Sequence, residues 1–180
     1  MFPAMFARWF LKNNEAFNRD GVKFVHNAPY ILMHLAGLKG EDAFILAWTT
    51  TPWTLPSNVA LCVNAAEDYV KVESKGETYY LAAALCYTVL GTYKGADLEG
   101  KEYEPLFDFV SPKEKCWYVV CDDYVTLTDG TGVVHIAPAF GEDDAKVGRK
   151  YGLPLVQLVD GKGQMTKETL WPGMFCKDAD

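Results

Sequence analysis

The sequence predicts a mainly β domain with short helices, barrel-like or sandwich-like in outline, and three observations carry that expectation. Short apolar runs recur along the chain, bounded by glycine, proline, aspartate and asparagine, which is the punctuation of strands and turns. Tyr69 to Glu73 alternates with a period of two, Ser74-Lys75-Gly76-Glu77 turns the chain, and Thr78 to Leu81 runs back as a hairpin. Helical signals are confined to brief windows, the clearest being Glu142 to Tyr151.

Taken in order, Met5 to Leu11 and Val22 to His26 flank a polar bridge ending in Asp20-Gly21, a strand-turn-strand signature. Ala43 to Trp48 is a continuous apolar run and reads as a strand. After the hairpin, alanines 82 to 84 with Leu85 and Leu90 predict a short helix stopped by Gly91, and Lys94 to Pro105 reads as a charged surface connection. Cys116 to Cys121, Tyr124 to Leu127 and Val133 to Ile136 are strand-like, with Asp129-Gly130 turning the chain before the last of them. Glu142 to Tyr151 carries acids in its first turn and Arg149 and Lys150 in its last, which matches the helix dipole, and Gly152 closes it. Leu155 to Val159 and Gln164 to Thr166 read as strands around Gly161-Lys162-Gly163, and the whole pattern favours antiparallel pairing.

The chain has 180 residues, 49% of them hydrophobic, which suits one domain over residues 1–180 with a real core. Its formal charge is −7, with nearly all the acidic excess after Gly91, a poor surface for holding a long phosphate backbone unaided. Five cysteines form an odd set in a chain that does not need staples, so a reducing, cytoplasmic setting is expected. The opening MFPAMFARWFLKNN carries Arg8 inside its apolar run and fits neither a signal peptide nor a membrane span.

Two segments stand out chemically. In AWTTTPWTLPSN, Ala47 to Asn58, Pro52 and Pro56 each remove a backbone donor and push Thr51 and Leu55 toward extended geometry, so a paired strand does not continue through it. The amides and hydroxyls of Thr49, Thr50 and Thr51 are then available to hold a carbonyl, a sugar hydroxyl or a water. A plainer account also fits: β-branched and aromatic residues suit strands, Trp48 and Trp53 are core aromatics, and Ser57-Asn58 caps or turns the chain.

In GTGVVHIAPAFGEDD, Gly130 to Asp144, the glycines permit a tight turn but lack the spacing and the lysine of a phosphate loop. His135 shares a strand face with Val133, opposite Val134 and Ile136. Asp144 follows nine residues later across a proline-glycine bend that can return its carboxylate toward the strand end, to receive an ammonium group or to cap the helix. No metal set is expected: Cys116 and Cys121 are spaced too loosely, His26 and His34 are isolated, and no HExxH occurs.

Together WTTTPWTLPSN at 48–58 and GTGVVHIAPAFGEDD at 130–144 resemble the editing domain of isoleucyl-tRNA synthetases, a barrel-like module inserted in those class I enzymes. LGTYKGADLEG at 90–100 is similar to the family's intermediate segment, and the resemblance runs from about Ala43 to Met174. Valyl editing domains tend to have arginine-proline in the threonine loop and lysine in place of His135, and leucyl ones have arginine after the threonines. The Phe140 and Glu142 form of the second motif resembles the eukaryotic-type isoleucyl enzyme.

The resemblance implies hydrolysis of the ester in valyl-tRNA(Ile) by an oriented water, with correct Ile-tRNA(Ile) excluded. By residue, it implies that Thr49, Thr50 and Thr51 surround the ester, ribose and water, that Trp48 lines the pocket, that His135 excludes isoleucine, and that Asp144 grips the ammonium. No cofactor is implied for editing; ATP and magnesium belong to a synthetic domain outside this fragment. The implied partners are the CCA end of misacylated tRNA(Ile) and the remaining domains of a parent synthetase, with the isolated domain a monomer and no membrane involved. Two alternatives stay open: threonyl-tRNA(Val) editing of the valyl type, and a noncatalytic aminoacyl-adenosine-binding module.

Overall fold

The computed structural model describes residues 31–34, 37–49, 51–74, 76–82, 88–127 and 131–179. The strands expected at Met5 to Leu11 and Val22 to His26, the turn at Asp129-Gly130 and the alanines 83 and 84 lie outside them. Among the described residues eight strands form one sheet: β1 (Ile31–His34), β2 (Phe44–Thr49), β3 (Ala60–Val63), β4 (Asp68–Ser74), β5 (Glu77–Ala82), β6 (Thr88–Lys94), β7 (Tyr118–Cys121) and β8 (Val134–Ile136). Helices are few and short: a 3-10 turn at Pro52–Ser57, α1 (Gly95–Leu98), α2 (Glu142–Tyr151) and α3 (Cys176–Ala179). The domain is therefore mainly β, as the sequence predicts.

The hairpin of β4 and β5 forms in the expected place, with Ser74 opposite Glu77 and Gly76 at φ 84° in the turn. Glycine is favoured at that position by the left-handed backbone alone, since a Cβ there would meet nothing within 4 Å. α2 has the bounds read from the sequence, and Gly152 closes it in the left-handed conformation.

Pairing departs from expectation. The sheet runs β6-β4-β5-β2-β8-β3-β7, and β2 lies parallel to both β5 and β8, as β3 does to β7. The sheet is mixed rather than antiparallel, because alternation within a strand constrains its faces and leaves its distant partners free. Leu90 and Gly91 belong to β6, not to a helix end. Tyr124 to Leu127 forms no strand, and Leu155 to Val159 and Gln164 to Thr166 contribute only isolated bridges, Val159 with Met165 and Gln164 with Phe175. The connection from Lys94 to Pro105 is more than surface chain: it holds α1 and buries Leu98 and Tyr103 completely.

The site rests on the centre of this sheet. Every residue of β3 is buried, so Ala-Leu-Cys-Val reads as continuously apolar rather than alternating. Leu61 and Val63 join Ile45, Tyr69 and Tyr103 on one side, while Ala60 and Cys62 join Ile136 and Val147 under α2 on the other. Cys62, Cys121 and Cys176 are buried free thiols that fill space as small apolar groups.

Close approach explains two glycines. Gly132 sits at φ 70°, and a Cβ there would lie 2.6 Å from both Ala82 and Leu127, while its carbonyl accepts the Tyr69 hydroxyl at 2.7 Å. A Cβ on Gly95 would lie 1.9 Å from the Asn64 carbonyl oxygen, because residues 64–67 pack across the start of α1. Gly95→Ala is therefore expected to cost about 3 kcal/mol or more in urea unfolding. Gly161→Ala, where a Cβ meets nothing within 4 Å, should leave the midpoint in place.

Candidate active site

The two sequence motifs meet because β2 pairs with β8. Trp48 lies opposite Val134, which sets Thr49 at the end of β2 close to His135. His135 is held from the other side by β3, opposite Leu61. Pro52 then ends the extended chain: it occupies the first turn of the 3-10 helix, where a missing N–H leaves nothing unpaired. Leu55 lies inside that turn rather than in the extended geometry expected before Pro56.

Thr49, Thr51, Trp53, Thr54, His135 and Asp144 line one cavity of about 300 Å³, with Phe140 and Gly141 completing its wall. That is the lower end of the size range for small-molecule sites. Thr50 is outside the described residues, and of Trp48 only the backbone in β2 is described, so neither side chain is placed in the cavity.

The hydroxyls form a chain. The Thr51 N–H donates to Thr49 Oγ1 at 3.0 Å, so that amide is occupied within the loop. Thr49 and Thr51 hydroxyls lie 3.4 Å apart, and those of Thr51 and Thr54 lie 3.3 Å apart. Thr54 donates its only hydroxyl hydrogen to the Thr51 carbonyl at 2.7 Å. Its oxygen must then accept from His135 Nε2 at 3.1 Å, which places the imidazole proton on Nε2. Thr54 was not singled out from the sequence, although it stands in the same motif three residues after Thr51 on a proline-started turn.

His135 is 6% exposed, and its Nδ1 is buried without a partner among the described residues. Burial depresses its pKa from 6.5 to about 4, so the ring is neutral at physiological pH. With one nitrogen on Thr54 and the other buried, the ring forms a wall of the cavity and is not placed as a proton acceptor. The depressed pKa links to stability with a definite sign. The contribution is full above pH 6.5 and is lost as pH falls toward 4, because the unfolded chain takes the proton more readily. We expect unfolding free energy to fall by up to roughly 3 kcal/mol across that window in the parent chain. Urea titrations at pH 7 and 4.5 on the parent chain and His135→Gln should show that the difference between them shrinks as pH falls.

Asp144 comes from the first turn of α2. Its Oδ2 accepts the Ala137 N–H at 2.9 Å, which pulls the helix start against the end of β8. Gly141 is the residue before the helix, and a Cβ there would crowd the Asp144 carboxyl at 3.2 Å. Burial raises the Asp144 pKa above its ordinary value; the Ala137 N–H opposes that shift and the charge of Asp143 adds to it. Among the described residues no lysine, arginine or histidine lies within ion-pair distance of Asp144. A half-buried carboxylate short of a cation suits an incoming ammonium group.

The polar pair closing the first motif has a structural role, as its plainer reading has it. Asn58 donates to the Ala60 carbonyl and accepts the Tyr103 hydroxyl at 2.6 Å, and Ser57 Oγ accepts the Leu158 N–H. Among the described residues, no three His, Cys, Asp or Glu groups come together as metal ligands would, and no helix is long and apolar enough to cross a membrane.

No protein-family model matches the chain. The isoleucine–tRNA ligase of Clostridium novyi (strain NT) is 57% identical to it over 152 residues, which cover 79% of this chain and 15% of the relative. The chain belongs to the isoleucine–tRNA ligase family. The corresponding ligase of Picrophilus torridus is 41% identical over 158 residues, covering 84% of this chain and 15% of the relative. This family member thus spans about 15% of the length of the curated relatives it matches. Its fold is that of solved leucyl-tRNA synthetase editing domains. The cytosolic P. knowlesi domain superposes with a TM-score of 0.55 at 15% identity, over 76% of this chain and 79% of that one. The P. falciparum domain in space group P1 gives 0.53 at 12% identity, over 98% and 88%.

Proposed function

We propose that this member of the isoleucine–tRNA ligase family is a single editing domain over residues 1–180, part of a larger synthetase, that hydrolyses the ester of valyl-tRNA(Ile). The observation that carries this reading is the meeting on one small cavity of Thr49, Thr51, His135 and Asp144, which has no cation partner among the described residues. Asp144 holds the ammonium of the misplaced amino acid. The threonine hydroxyls orient a water against the ester carbonyl and stabilise the developing oxyanion, with Thr50 completing the loop. Water adds to the carbonyl carbon, the bond to the ribose oxygen breaks, and that oxygen leaves with a proton, giving free valine and uncharged tRNA(Ile). Because the Thr51 amide is held by Thr49 Oγ1, hydroxyls rather than that amide face the reacting atoms.

His135 supplies the sieve, and the family resemblance assigns Trp48 to the same pocket. Isoleucyl enzymes are the standard illustration of why a sieve is needed, and the figure comes from them: one methylene is worth only about 1–3 kcal/mol of discrimination. A second cavity that admits valine and rejects isoleucine reverses the selection. The reaction needs no cofactor, since an aminoacyl ester is already activated; ATP and magnesium serve the synthetic domain. The domain acts as a cytoplasmic monomer on the flexible CCA end, and other domains of the synthetase supply most phosphate contacts, in keeping with a charge of −7.

Single-turnover deacylation with the chain in excess over Val-tRNA(Ile), Ile-tRNA(Ile) and Thr-tRNA(Val) tests the proposal. Val-tRNA(Ile) should be cleaved fastest. Preference for Thr-tRNA(Val) would move the chain to valyl-type editing, and a stable complex without turnover would make it a binding module.

A further inference from the structure

Residues 154–158 lie outside any helix or turn and alternate in burial as a strand does. Pro154, Val156 and Leu158 are buried, Leu155 is 71% exposed and Gln157 is exposed. Val156 and Leu158 pack with Val59, Phe109 and Val110. Among the described residues the ladder expected of such a stretch does not form. Main-chain pairing starts only at Leu158, whose N–H goes to Ser57 Oγ and whose carbonyl accepts the Thr166 N–H. The main-chain groups of Leu155, Val156 and Gln157 bond to no other described residue.

Beside this stretch runs a groove of about 590 Å³, its opposite wall formed around Val110 and Pro112, with Glu114 and Glu168 also lining it. We propose that this groove seats an extended segment of the parent synthetase from outside these 180 residues, added as a strand along Leu155–Gln157. Free donors and acceptors along an extended edge are what a second backbone pairs with, and exposed Leu155 offers an apolar anchor beside them. Two carboxylates in the lining select a segment carrying lysine or arginine, and they disfavour both RNA and a second copy of a chain whose charge is −7. Source material is ample, since the chain spans only about 15% of its relatives. The inference rests on family membership and on the fold, not on the deacylation reading.

Amide hydrogen exchange at Leu155, Val156 and Gln157 tests it, in the 180-residue chain and in the full-length synthetase, both without tRNA. Exchange should be fast in the short chain and at least ~10-fold slower in the full-length protein, as for an amide drawn into a ladder. Leu155→Asp should leave the melting temperature and Val-tRNA(Ile) hydrolysis of the short chain unchanged and restore fast exchange in the full-length protein. Equal rates in the two proteins, or protection already present in the dilute short chain, would overturn the proposal. So would protection that grows with short-chain concentration, pointing to a second copy, or that appears only on adding tRNA. Equal exchange with hydrolysis intact removes the docking segment alone; protection with no hydrolysis removes the editing reading alone.

Discussion

Asp144→Asn is expected to slow single-turnover hydrolysis of Val-tRNA(Ile) by about 30- to 1,000-fold, the loss of roughly 2–4 kcal/mol from a partly desolvated ammonium–carboxylate contact. The substitution keeps the volume of the side chain and an oxygen for the Ala137 N–H, so the start of α2 stays docked on β8. Stability should not fall with activity. Burial holds the Asp144 pKa above its unfolded value, so the charged carboxyl destabilises the folded chain at neutral pH and that penalty lifts as pH drops. Asparagine carries no such penalty, and the melting temperature at pH 7 should equal or exceed that of the parent chain. Cleavage at near-parental rate would remove Asp144 from ammonium recognition. A large drop in melting temperature would recast it as a helix cap whose loss distorts the site.

His135→Ala should make the chain cleave Ile-tRNA(Ile), raising that rate by about 10- to 200-fold, the worth of one methylene in an apolar pocket. The imidazole is neutral, buried and fixed by Thr54, so its removal opens space where a larger side chain would otherwise meet a rigid wall. Val-tRNA(Ile) cleavage should change far less, because neither ring nitrogen is placed to move a proton at the ester. His135→Phe separates volume from hydrogen bonding: it refills the space without the bond to Thr54 and should again exclude isoleucine. If His135→Ala still rejects isoleucine, the sieve is elsewhere in the cavity. If Phe fails to restore exclusion while the domain stays folded, the bond to Thr54 is what sets the wall.

Much of this site is legible in the residues because local rules govern them. Two prolines stop a strand wherever they fall, so the end of β2 at Thr49 and the turn after it follow from AWTTTPWTLPSN. The acids and bases of Glu142 to Tyr151, closed by Gly152, give the bounds of α2 for the same reason. Thr54 escaped notice because its importance lies in a bond to a residue 81 positions away, and nothing in its neighbours reports that. The stretch from Leu155 to Val159 has a strand's alternation but no ladder partner along its first half among the described residues, and alternation alone cannot say whether a ladder forms.

By itself the sequence determined the mainly β character of the chain, its firmest hairpin, the bounds of its main helix and the residue types brought to the site. These depend on proline and glycine geometry, helix-end charge and side-chain alternation, all of which act within a few residues. Only the tertiary structure decided that β2 and β8 lie parallel, so that Thr49 and His135 share a cavity with Asp144. It also decided that His135 is neutral and that Asp144 has no counter-ion among the described residues, since the cost of burying a charge depends on what the rest of the fold places around it.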